Sequence, residues 1–187
     1  MSRTHWGPVL TVPVSDERDH VQGTADAPVT LVEYGDYECP YCGAAYPIIK
    51  EVQARLGERL RFVFRNFPIS TSHPHAEQAA EAAEAAGAQG KFWDMHDALF
   101  AHQHALEEAD LLRYAQDLTL DMEQFERELM GHSHSQRIVW DVKSGLASGV
   151  QGTPTLFLNG ELLTEGYDEA TLRAALASIA ADRRGST

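Results

Sequence analysis

The most constraining feature of this sequence is where its only two cysteines stand. Cys39-Pro40-Tyr41-Cys42 comes shortly after Val29–Tyr34 (VTLVEY), an almost continuously apolar, β-branched run that reads as a strand buried on both faces. A short loop, Gly35–Glu38, leads to Cys39. Pro40 falls at the first helical position, where its missing N–H costs nothing. Ala45, Ile48, Ile49, Val52 and Leu56 then recur at helical spacing, and Gly57 ends the helix. Leu60–Arg65 (LRFVFR) alternates as a second strand. The result is β–CxxC–α–β within about forty residues.

Residues 1–27 show no strong periodicity and are expected to wrap the domain as an extended arm. From Pro74 to Gly149 the pattern is helical: an alanine-rich helix over 76–88, a second over 91–102 with Phe92, Met95, His96 and Leu99 on one stripe, and a third marked by Leu111, Tyr114, Ala115 and Leu118. Asp121 with Gln124 reads as a capping box for a fourth helix bearing Phe125 and Leu129. A fifth carries Ile138, Val142 and Leu146. Thr155–Leu158 and Glu161–Thr164 flank Asn159-Gly160, a strong two-residue hairpin signal. Asp168 then caps a final helix with Leu172, Leu176 and Ile179. The predicted class is α/β: a β-α-β unit and an α-β-β-α unit, covering residues 28–73 and 133–182, with an all-helical insertion over 74–132. Residues 183–187 form a frayed tail.

At 187 residues the chain suits one compact domain. Its 15 Lys and Arg against 28 Asp and Glu give a net charge of −13, which disfavours nucleic-acid and anionic-membrane partners. No apolar run approaches the roughly 20 residues that span a bilayer. Met1–His20 is interrupted by His5, Pro8, Pro13 and the run Asp16–Asp19, and lacks the apolar core of a secretory signal. On that reading the chain is cytoplasmic, and a CxxC there points to redox or metal chemistry rather than a disulfide scaffold. No phosphate loop or Ser-His-Asp order appears, and no cofactor is expected.

Three elements carry chemistry. With Cys39 at the helix N-cap, its sulfur faces free backbone N–H groups and the positive end of the helix dipole, which lower its pKa. Cys42, one turn on, is placed to attack a mixed disulfide on Cys39. The competing zinc reading needs four ligands; His73-Pro-His75 or His132-Ser-His134 would have to complete the pair, and neither has ordinary finger spacing. Glu33, inside the apolar strand, is either a buried proton acceptor for Cys42 with a raised pKa or a strand-end carboxylate that meets solvent. Gly152-Thr153-Pro154 is either an ordinary turn or a cis-proline loop held against the CxxC helix, exposing backbone groups to a substrate. Asp36 and Glu38 should raise the Cys39 pKa somewhat. His96, Trp93 and Phe100 are expected to pack the insertion, and His102 and His104 to be solvated.

These elements, in this order, resemble the DsbA-like branch of the thioredoxin-fold family. The resemblance covers about residues 19–181, through APVTLVEYGDYECPYC, FWDMHDALF and GVQGTPTLFLNG. It implies a thioredoxin-like fold with a helical insertion, Cys39 as nucleophile, Cys42 as resolving thiol, Glu33 as buried carboxylate and Pro154 as cis-proline, with Thr153, Pro154, Pro40 and Tyr41 meeting the substrate. The best-known members carry a His inside the CxxC where this chain has Tyr41. The expected activity is thiol–disulfide exchange with protein or peptide thiols and disulfides, served by an unidentified redox partner, with the reductase or isomerase direction favoured. The expected potential lies between roughly −120 and −270 mV. A soft-metal module for Cu(I) or Zn and a redox-inert interaction domain are the alternatives.

Overall fold

A computed structural model describes residues 6–164 and Ala170. Residues 1–5 of the arm, the helix expected after Asp168 and the tail 183–187 lie outside the described residues. Six strands are described: β1 (Trp6–Val9), β2 (His20–Gln22), β3 (Val29–Gly35), β4 (Leu60–Asn66), β5 (Thr155–Leu158) and β6 (Glu161–Leu163). They form one sheet in the order β1-β6-β5-β3-β4-β2. β3 and β4 run parallel, from Val29 opposite Leu60 to Gly35 opposite Asn66. A parallel pair needs a crossover, supplied by α1 (Pro40–Leu56) and a 3-10 turn, Gly57–Arg59. β5 lies antiparallel on the other side of β3. Asn159 and Gly160, at φ 51° and 86°, make the tight turn from β5 into β6.

Within residues 1–27, expected to form an extended arm, two short strands are described. β1 pairs with β6 and β2 with β4, so this segment supplies both edge strands of the sheet. Each strand is only three or four residues long, too short to show a hydrophobic period.

Between β4 and β5 stand α2 (Ala76–Ala88), α3 (Phe92–Ala101), α4 (Glu108–Asp117), α5 (Met122–Met130) and α6 (Ser135–Ala147). Asp121 caps α5, accepting from Gln124 N–H at 3.0 Å. The reciprocal half of the capping box is not made, because Gln89 Oε1 takes the Asp121 N–H at 2.7 Å while the Gln124 amide turns to Glu128. α6 is also rotated from its apolar reading: Ile138 is buried, but Leu146 is 60% exposed. Its inward face carries Asp141, Ser144 and Gly145, which an apolar count passes over. Asp141 accepts the Asn66 N–H at 3.0 Å, and Ser144 bonds the Tyr34 hydroxyl at 2.9 Å. None of the described helices is long and apolar enough to cross a membrane.

Alternation along the strands sorts the core into two faces. Leu31, Phe62, Phe64, Leu156 and Leu158 pack with α1 and the α2–α5 helices. Val32, Tyr34, Val63 and Phe157 pack on the opposite face with Phe67 and Val150. On this second face the fully buried Arg65 donates to both carboxylate oxygens of Asp19, at 2.9 and 3.0 Å, and to the Tyr34 hydroxyl at 2.8 Å. It also donates to the carbonyls of Val12 and Pro13, which fastens the N-terminal segment across the sheet. Removing one partner of a buried pair strands the other charge. Asp19→Ala should therefore cost about 3–5 kcal/mol in urea denaturation, and an apolar double replacement of Asp19 and Arg65 should recover most of it. A single-variant loss below about 1 kcal/mol would sink this account.

Candidate active site

Cys39 is the N-cap of α1, with φ −68° and ψ 121°, and Pro40 opens the helix as its spacing predicts. No side chain caps this end, so the first-turn amides are left for the sulfur. The Cys39 carbonyl accepts the first intrahelical bond, from Gly43 N–H at 3.1 Å. Both cysteines are free thiols, Cys39 at 3% and Cys42 at 0% exposure.

Their environments drive the two sulfurs apart. A hydrogen bond from the Cys42 thiol is the largest influence on Cys39; against the cost of burial, it acts with Thr153 and the amides of Cys42 and Tyr41 to lower the Cys39 pKa from 9.0 to about 5. Burial, the bond to Cys39 and the neighbouring charge of Glu33 push Cys42 far above the ordinary thiol range, although the Asp36 N–H, 3.4 Å from its sulfur, pulls the other way.

Glu33 is the fifth residue of β3, opposite Phe64 and Leu156, so alternation sends its side chain to the face carrying α1. It is 2% exposed, and its Oε1 has no hydrogen-bond partner among the described residues. Of the two readings of this residue, the strand-end carboxylate meeting solvent is therefore ruled out. Burial first, then the charge of Cys39, raises its pKa from 4.5 to about 8.

The Thr153–Pro154 peptide is cis, and the protonated Cys39 sulfur donates to the Thr153 carbonyl at 3.3 Å. Thr153 and Pro154 border a 610 Å³ groove that runs past Gly149 and Gln151 towards Leu162 and Pro8. On the other side of the motif Pro40 borders a 470 Å³ groove with Glu38, His75, Gln103, Leu106 and Glu107. Tyr41 stands 62% exposed between Cys39 and Cys42 in the chain. Cys39, Cys42, Pro40, Tyr41, Thr153 and Pro154 thus come together at one end of the sheet, with Glu33 beneath them.

Five more residues belong to this centre. Asp36 is a hub with its side chain fully buried: Oδ1 accepts the N–H groups of Glu38 and Cys39 at 2.8 and 3.2 Å, while Oδ2 accepts from Ile69 N–H at 2.8 Å and His73 Nδ1 at 2.7 Å. Glu38 takes His75 Nδ1 at 2.9 Å and the His75 N–H at 2.6 Å. Each of these carboxylates, expected to push Cys39 upward, is hydrogen-bonded to a histidine. Those histidines, weighed in the sequence as zinc ligands, sit on carboxylates instead; so do His132, on Glu81, and His134, on Glu128. Gln103, in the turn after α3, donates to the carbonyls of Tyr37 and Cys39 at 2.8 and 3.0 Å. Gly43 leaves room for it, because a Cβ there would fall 1.8 Å from Gln103 Oε1. Sequence reasoning missed the contacts of His73 with Asp36, His75 with Glu38 and Gln103 with Cys39 because these partners lie tens of residues apart, and no local pattern records such pairings.

Comparison with known proteins agrees with this geometry. A family model described as Thioredoxin matches residues 15–178. A curated relative, the Na(+)/H(+) antiporter NhaA 1 of Salinispora arenicola, is 49% identical over 175 residues, which are 94% of this chain but 27% of that protein. The chain thus spans about a quarter of the length of the curated relatives it matches. Among solved structures, a thioredoxin-like oxidoreductase from Silicibacter pomeroyi is 29% identical with a TM-score of 0.76, covering 92% of this chain and 95% of that one. Oxidised BdbD from Bacillus subtilis, at 24% identity, shares the fold with a TM-score of 0.79 over 92% of this chain and 98% of its own. The match across residues 15–178 agrees with the strand, the CxxC helix and the Thr153–Pro154 loop, and the chain belongs to the thioredoxin family.

Proposed function

We propose that this chain is a thiol–disulfide oxidoreductase acting on protein or peptide thiols and disulfides, with Cys39 as nucleophile and Cys42 as resolving thiol. The observation that carries the reading is the asymmetry of the two sulfurs: Cys39 at a helix N-terminus with its pKa near 5, and Cys42 buried and held protonated. The Cys39 thiolate attacks one sulfur of a substrate disulfide, forming a mixed disulfide and expelling the other sulfur as a thiolate. Cys42 then gives up its proton and attacks Cys39 Sγ; this closes the Cys39–Cys42 disulfide and releases the second substrate thiolate. Two electrons pass from the dithiol to the substrate.

Glu33 is the acceptor for the Cys42 proton. While Cys39 is a thiolate, its charge helps keep Glu33 protonated. Once Cys39 is consumed in the mixed disulfide that repulsion disappears, so the carboxyl becomes a stronger acid and its anion becomes available when Cys42 must be deprotonated. Thr153, Pro154, Pro40 and Tyr41 form the platform on which the substrate backbone lies.

Stabilising the Cys39 thiolate stabilises the reduced form, which moves the couple towards the oxidising end of the range for this fold. In a cytoplasmic setting a glutathione pool would hold such a pair reduced and so favour reductase or isomerase work. The antiporter name belongs to much longer chains, and this proposal concerns only the portion aligned with them. Insulin reduction with glutathione as electron donor is the test. The wild type should accelerate insulin precipitation at least about tenfold over Cys39→Ala; equal rates would reject the proposal.

A further inference from the structure

We infer that His73 is a positioning residue for the redox reaction: its imidazolium neutralises Asp36 and thereby keeps the Cys39 thiolate accessible at neutral pH. The inference rests on Cys39 being the attacking sulfur, and it extends that reading to a residue in the connection between β4 and α2.

The side chain of Asp36 is fully buried. Its contacts with Glu38 N–H, Cys39 N–H and Ile69 N–H all come from donors, so both oxygens are used as acceptors. It grips the amide of Cys39 itself, three residues along. An uncompensated anion there would oppose a second anion on the Cys39 sulfur, and burial would weaken solvent screening of that repulsion. The only side chain donating to Asp36 among the described residues is His73, at 2.7 Å. A protonated imidazole in that position turns an opposing charge into a neutral pair.

The groups that act on His73 are consistent with this. Its side chain is 18% exposed, so water and protons reach it. Desolvation favours its neutral form, but Asp36, Cys39 and Glu38 together hold it above the ordinary imidazole value. His75, the other histidine of this connection, is committed to Glu38. Compensation is therefore fully present below the ordinary imidazole pKa and is lost as pH rises through the raised one.

Coupling of this kind is reciprocal. Reducing the Cys39–Cys42 disulfide takes two electrons and, with Cys39 left as thiolate and Cys42 as thiol, one proton. If the thiolate raises the His73 pKa, the imidazole takes up a further fraction of a proton on reduction. The potential then falls more steeply with pH in the window between the His73 pKa values of the oxidised and reduced proteins.

His73→Gln keeps a hydrogen-bond donor and removes the charge. It should lower the thiolate-forming acidity of Cys39, read by thiolate absorbance, by about threefold or more. It should move the equilibrium with glutathione towards the disulfide in the same sense, and His73→Lys should restore both. In an Asp36→Asn background His73→Gln should have a clearly smaller effect on both quantities. Attenuation of the effect in that background is something a purely structural role would not produce. Unchanged acidity and equilibrium in His73→Gln would overturn the inference, as would an equal shift in both backgrounds. Should these variants fail to fold, side-chain NMR titration of His73 in the wild type decides the matter. A higher His73 pKa in the reduced than in the oxidised protein supports the coupling, and equal values overturn it. None of these readouts uses a protein substrate, so a wild type that shows the coupling but does not reduce insulin would reject the proposed function and leave this inference standing.

Discussion

In the reduced protein at pH 6, iodoacetamide should modify Cys39 more than about a hundredfold faster than Cys42. With its pKa lowered to about 5, Cys39 is roughly nine-tenths thiolate at that pH. A cysteine left at the free value of about 8.5 would be thiolate in roughly three molecules per thousand, a deficit of about 300-fold. Low pKa also weakens a nucleophile. A Brønsted slope of about 0.4–0.5 over about 3.5 units returns roughly 30- to 50-fold of that advantage. Only about tenfold would then separate Cys39 from an exposed, unperturbed cysteine. Cys42 is neither exposed nor unperturbed: it has 0% exposure, and burial holds its proton. That environment supplies the remaining discrimination. Peptide mapping by mass spectrometry after timed quenching measures the ratio. Labelling of Cys42 within about tenfold of Cys39 would remove the basis for assigning their roles.

The second large effect is on stability, and it comes from Glu33. Its folded-state pKa, about 8, lies well above the 4.5 of the free group, so the unfolded chain releases this proton first as pH rises. The contribution to stability is fully present below pH 4.5 and is progressively lost up to about pH 8, the window set by those two values. Over that window the reduced wild type should lose about 4 kcal/mol relative to Glu33→Gln, which cannot ionise. Urea denaturation of both proteins at the two ends of the window measures the difference. Parallel stability profiles would mean that Glu33 reaches water. The same substitution should slow release of the mixed disulfide while leaving the first attack by Cys39 largely intact, because the lost carboxylate is the acceptor for Cys42 and not for Cys39. A protein of this design tolerates a destabilising buried acid at the position where its chemistry needs a proton acceptor.

The parts of this molecule legible in its sequence are those whose physics is local. Val29–Tyr34 is apolar at every position but Thr30 and Glu33 because β3 is covered on both faces, and the single carboxylate in that run stood out for the same reason. Pro40 after Cys39 marked the start of α1 within one residue, and Asn159-Gly160 marked the β5–β6 turn. The illegible parts were contacts between distant segments. Leu146 looked inward because its spacing from Val142 is helical, yet Asp141 and Ser144 own that face through bonds to Asn66 and Tyr34. Asp36 looked like a charge working against Cys39, and only the return of the chain at His73 reveals what balances it. The edge strands were too short to register, and their pairing is with residues far along the chain.

That last pairing bears on how the molecule is made. β2 can add to β4 once Leu60–Asn66 has been synthesised, but β1 has no partner until Glu161–Leu163 exists, since Trp6 lies opposite Leu163. On a ribosome the earliest of these segments therefore waits for one of the last. Pairings between such distant segments close slowly, because the intervening chain must first be ordered. Until then the outer side of β6 is open to other strands. Cys39 and Cys42 emerge long before Thr153 and Pro154 arrive beside them, so a nascent chain carries two thiols without their finished surroundings. Such a chain is exposed to oxidants and to stray strands for most of its synthesis, and becomes a selective reagent only when the final hairpin closes the sheet.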